Sequence, residues 1–131
     1  MPTQMGANKG GYAYPRFPFA FPVTDLTATA TLTPGQCGVI AVTGGAAVTL
    51  TFPSPTGNRG LWYLVINKAD YDLTLTAPTA DTLVTDGDAA ADSQAFSTTS
   101  HKIGGAALWL CDGTNWMALN VSDCADTIAT A

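Results

Sequence analysis

From Val23 to Val121 the chain is cut by turn residues into short runs spaced about ten residues apart, and no run carries the apolar period of an amphipathic helix. Pro34-Gly35, Gly44-Gly45, the loop from Pro53 to Gly60, Asn67 to Asp70, Ala77-Pro78 and Gly104-Gly105 are the breaks. Between them Val48, Leu50 and Phe52 fall on one face, as do Tyr71, Leu73 and Leu75, the period of two that a half-buried strand shows. About eight such runs predict an all-β fold, a single antiparallel β-sandwich or barrel rather than a parallel sheet, because no helical crossover lies between them. No internal repeat of fixed period argues for a solenoid or propeller.

Composition agrees with that expectation. All ten acidic residues are Asp, and Thr is abundant beside Val, Gly and Ala. Glu favours helices, whereas Thr favours strands and Asp favours turns. With 47% hydrophobic and 11% charged residues, the 131-residue chain can fill one core and has no room for a second.

Two runs are stronger than the rest. Leu61 to Ile66 is continuously apolar, as expected of a central strand covered on both sides. Ala106 to Cys111 and Trp116 to Asn120 flank Asp112-Gly113-Thr114-Asn115, a hairpin signal. Asp81 to Ser93 is small and polar and predicts a longer loop holding a short Leu83-Val84 strand, with a further strand over Phe96 to Ile103.

The first 22 residues differ in kind. Tyr12, Tyr14, Phe17, Phe19 and Phe21 are interleaved with Pro15, Pro18 and Pro22, which forbid a helix or a central strand and leave extended backbone. Five aromatic side chains are costly to leave in water, and a lone ten-residue segment gains too little from burying them to order itself. The expectation is that these five residues bind a partner, with strand addition supplying the main-chain hydrogen bonds. The domain reading is an extended arm over 1–22, a β-domain over 23–122 and a flexible tail over 123–131.

Catalytic and metal chemistry find little material. There is one His, no Glu, and no CxxC or HxxxH spacing. His101 could serve as a base for Ser97 or Ser100, but no strained nucleophile turn such as GxSxG surrounds them. Asp86-Gly87-Asp88 with Asp92 resembles part of a calcium loop but lacks the Gly and the bidentate Glu of that motif, so a turn is expected. Cys37, Cys111 and Cys124 are an odd set, expected as reduced and mostly buried thiols. Trp62, Trp109 and Trp116 could form a sugar-stacking platform, although their places inside strands favour a core or interface role. No enzyme, cofactor or metal is expected.

A net charge of −5 with five scattered basic residues argues against nucleic acid. No apolar run is long enough for a membrane span and no signal-like segment opens the chain, so assembly in a host cytoplasm is expected.

Several motifs resemble a known group. Thr49-Leu50-Thr51-Phe52-Pro53, Leu61-Trp62-Tyr63-Leu64-Val65-Ile66-Asn67, Leu73-Thr74-Leu75-Thr76-Ala77-Pro78 and Leu108-Trp109-Leu110-Cys111-Asp112-Gly113-Thr114-Asn115-Trp116 look like the β-rich modules of head-decoration and tail-fibre proteins of tailed bacteriophages. The resemblance implies a virion structural subunit, commonly a homotrimer, that decorates or cements a capsid. Its partners would be the major capsid protein and further copies of itself. The alternative is a tail-fibre or receptor-binding module contacting cell-surface carbohydrate. The aromatic arm has no counterpart among these motifs.

Overall fold

The structure, a computed structural model, describes residues 22–97 and 102–122 in full and the backbone of 127–130. Its strands are β1 (Val23–Leu26), β2 (Ala30–Thr31), β3 (Gly38–Val42), β4 (Val48–Thr51), β5 (Trp62–Asn67), β6 (Leu73–Thr76), β7 (Leu83–Thr85), β8 (Asp88–Phe96), β9 (Ala106–Cys111), β10 (Trp116–Asn120) and β11 (Thr127–Thr130). One 3-10 turn, Pro34–Gln36, interrupts them. No α-helix occurs among the described residues, so the all-β expectation stands.

The strand order is β1-β3-β5-β9-β10-β7-β8-β6-β4-β2, with β11 added on β8. Strands β1 and β2 stand at opposite ends of this order, yet only residues 27–29 join them. Laid flat, ten strands at about 4.8 Å would hold their ends roughly 43 Å apart. A three-residue link spans no more than about 14 Å. The sheet must therefore roll until its ends nearly meet, giving a nearly closed barrel-like shape. At the seam Gly44 lies so close to the chain that a Cβ there would sit 2.6 Å from the Thr27 carbonyl oxygen.

The roll is built in coils, and here the structure corrects the antiparallel expectation. Strands β1, β3 and β5 run parallel in one half of the roll, and β2, β4 and β6 run parallel in the other. The chain reaches each half alternately, so strands close in sequence are not hydrogen-bonded neighbours and no helix is needed for the crossover. Antiparallel pairing begins only with β8, β9 and β10. Eleven strands replace the expected number of about eight because the run from Val23 to Leu32 divides into β1 and β2, and two more strands form where loop and tail were expected.

Strand β8 fills most of the segment predicted as a loop. Ala91 pairs with both Leu83 and Thr130, and Ala95 with both Thr74 and Thr127, so β11 takes one edge while β6 and β7 share the other. One long strand thus turns the corner between the two halves. It stops at Phe96; Ser97 and Lys102–Ile103 are not strand, which shortens the strand expected over 96–103, and residues 98–101 lie outside the described set. Thr127–Thr130 forms β11 where the sequence suggests a flexible tail.

The expected hairpin is present, with Trp116 opposite Cys111 and Met117 opposite Leu110. The Asp112 carboxylate accepts the Thr114 and Asn115 amides at 2.8 and 2.6 Å, and Gly113 takes a φ of 95° that a side chain would resist. Those two amides hold the Asp112 carboxyl below its ordinary pKa, and the Arg59 charge adds to the effect.

Four aromatic rings form the centre of the core. Phe52 stacks on Trp109 with centroids 4.0 Å apart, and meets Tyr63 and Trp116 edge-on at 5.3 and 5.2 Å. Each polar ring atom has an acceptor: Tyr63 Oη donates to the Thr33 carbonyl at 2.6 Å and Trp116 Nε1 to the Pro53 carbonyl at 2.9 Å. Trp109 Nε1 donates to Gln94 Oε1 at 3.2 Å, and Gln94 Nε2 donates in turn to Asn120 Oδ1. Burial, with Cys37 and Cys111 nearby, pushes the Tyr63 phenol up to about 12.

Candidate functional site: an outward apolar sheet face

Inward side chains of β3, β5, β9 and β10 fill the core: Ile40, Val42, Tyr63, Val65, Ala107, Trp109, Trp116 and Ala118 are all buried. The alternate side chains of the same strands point away from it, and they are also apolar. Register carries one row across five strands, from Val23 through Val39, Leu64 and Leu108 to Leu119. A second row runs Trp62, Leu110, Met117, Val84, and a third Asp25, Ala41, Ile66, Ala106.

Val23 and Leu119, at the two ends of the first row, are 59% and 53% exposed, while Val39, Leu64 and Leu108 between them are half-buried. Asp25, at the sheet edge, is the one charged residue in the three rows. Five strands and three rows cover on the order of 400 Å². An apolar patch of that size on a soluble chain marks a contact surface.

This face explains the continuous apolar run over β5. The sequence predicts a strand covered on both sides; the structure shows alternation, with Tyr63, Val65 and Asn67 buried and Trp62, Leu64 and Ile66 half-buried. The apolar run is real, and its outward half supplies the patch.

The face ends in a cleft. Strands β10 and β7 pair only through Trp116 with Leu83 and Met117 with Val84, and then part. Val84, Thr85, Asp86 and residues Met117 to Asn120 line the opening, about 460 Å³ in volume. The Thr85 hydroxyl, on a residue 7% exposed, has no hydrogen-bond partner.

Other candidate residues are not brought together. Tyr12, Tyr14, Phe17, Phe19 and Phe21 lie outside the described residues, as do His101 and Cys124. Trp109 and Trp116 are fully buried and offer no face to a sugar; Trp62 is on the outward face. Asp86-Gly87 makes the β7–β8 turn, the Asp88 carboxylate accepts the Ala90 amide, and the Asp92 carboxylate accepts the Asp81 amide at 2.8 Å. Among the described residues no three His, Cys, Asp or Glu side chains converge as a metal site would require. Cys37 and Cys111 are free thiols, partly and fully buried.

No helix among the described residues is long and apolar enough to cross a membrane. No family model matches the chain, and neither a curated protein nor a solved structure does.

Proposed function

We propose that the chain is a non-catalytic structural subunit of a phage particle. It associates with copies of itself through the outward face of β1, β3, β5, β9 and β10, and reaches the major capsid protein with Tyr12, Tyr14, Phe17, Phe19 and Phe21. The observation that carries this reading is the row from Val23 to Leu119, a line of aliphatic side chains on the outside of a sheet whose inside is already packed. The motifs resembling decoration proteins point the same way, and they favour a homotrimer.

Magnitudes agree with weak pairwise contact strengthened by number. Burying about 400 Å² of apolar surface contributes roughly 10 kcal/mol per subunit. Association costs about 4–15 kcal/mol in lost freedom and ordering. One such patch sits near break-even, so closed rings, in which each copy uses its surface twice, or added contacts from the arm decide the outcome.

A fibre module that stacks cell-surface carbohydrate is the rival, and it would have to form its platform without Trp109 and Trp116. Sedimentation of the full chain, together with pull-down on empty capsids, tests the proposal. Replacing Phe17, Phe19 and Phe21 with Ser should remove capsid binding while leaving the melting transition in place. A chain that stays monomeric at high concentration and ignores capsids would refute the assignment.

A further inference from the structure

We infer that the cleft between β7 and β10 is a socket for a tyrosine ring from the N-terminal arm of a neighbouring copy; this rests on the self-association proposed above. The cleft joins two chemistries. Val84, Met117 and Leu119 form apolar walls, while the Thr85 hydroxyl, buried without a partner, and the Asp86 carboxylate supply polar contacts. An occupant that satisfies both needs a flat apolar body with a hydroxyl at its tip, which is the chemistry of tyrosine. Of the five aromatic residues in the arm, only Tyr12 and Tyr14 have that tip. A phenol there could donate to the Asp86 carboxylate while the Thr85 hydroxyl donates to the phenolic oxygen.

Position supports the same occupant. Met117 and Leu119 belong both to the outward rows and to the walls of the cleft, so a copy seated on the face brings its own arm to the cleft's margin. Within one chain the arm leaves at Val23, four strand spacings or about 19 Å from Leu119. Tyr14, nine residues earlier, could span roughly 28 Å in extended form. Its own cleft is thus within reach, but the path would cross the apolar rows. Once a second copy covered those rows, the arm's amides and carbonyls would lie against Val, Leu and Ile side chains with nothing to pair with. An arm arriving from the neighbour approaches along the rim and keeps its backbone in water.

Mixed cysteine trapping tests this on the full chain. Chains carrying Tyr14→Cys or Tyr12→Cys are mixed with chains carrying Leu119→Cys, oxidised, and their joined peptides mapped by mass spectrometry. The expected result is a peptide pair linking position 119 to position 12 or 14 from the mixture, with at least a tenfold lower yield when Thr85→Val and Asp86→Asn are added. Joining confined to chains that carry both substitutions would show the arm folding back on its own domain and overturn the inference. Absence of joining in a chain that still sediments as an oligomer would overturn the socket alone, whereas a monomer would remove self-association with it.

Discussion

The roll has two outer faces, and they differ in what they offer a partner. Outside β2, β4, β6 and β8 the rows read Thr31, Thr51, Thr76, Ser93 and Thr49, Thr74, Ala95. Outside β1, β3, β5, β9 and β10 they read Val, Leu, Ile, Trp and Met. The inner rows of the first half, Ala30, Leu50, Leu75, Gln94 and Val48, Leu73, Phe96, are mainly apolar, like those of the second. Both halves satisfy the core equally. Thr is as good a strand former as Leu, so the first half shows that this sheet can be built without outward hydrophobes. Strand formation therefore leaves Leu64 and Leu108 unexplained, and contact with another protein explains them.

The contrast can be broken most sharply by charge. Leu64→Asp with Leu108→Asp should shift the full chain from oligomer to monomer in sedimentation velocity, a loss of about 4 kcal/mol or more in association. Thr51→Asp with Thr76→Asp, the matched change on the other face, should leave the oligomer intact. Equal effects from the two pairs would end the distinction between the faces.

A core substitution marks what the halves share. Phe52→Ala removes a ring that touches Tyr63, Trp109 and Trp116, and should lower unfolding free energy by about 3–5 kcal/mol in denaturant titration. Thr85→Val, at the margin of the apolar face, replaces an unpartnered buried hydroxyl with a methyl group and should raise stability by about 1 kcal/mol.

The smallest expected effect is titration of the core itself. The Tyr63 phenol titrates near 12 in the fold and near 10 when unfolded, so its contribution is whole below pH 10 and is lost as pH rises toward 12. Absorbance at alkaline pH should show one of the four tyrosines ionising late. Tyr63→Phe should flatten the fall in melting temperature over that interval.

Local chemistry was legible in the sequence where it acts within a few residues. The Asp112-Gly113 turn, the alternation over β4 and β6, and the placing of all three Trp residues in strands follow from turn geometry and side-chain period. The coils were not legible, because their spacing is uneven: Val39 follows Val23 by 16 residues, while Leu64 follows Val39 by 25. Irregular loops hide such a period from any search for fixed repeats. Strand β8 was missed because Ala89, Ala90 and Asp88 resemble loop composition, and only its neighbours β6, β7 and β11 hold it extended. The apolar face had its signal in the run from Leu61 to Ile66, which announces two dry sides without saying whose atoms dry the second.

Because β1 and β2 are the first strands made and also the two lips of the seam, tension on the amino end would meet the fold at its rim. Each lip is held by one neighbour only, β3 or β4. A tug there would unwind the roll turn by turn, like thread from a spool, well before the aromatic centre felt any load.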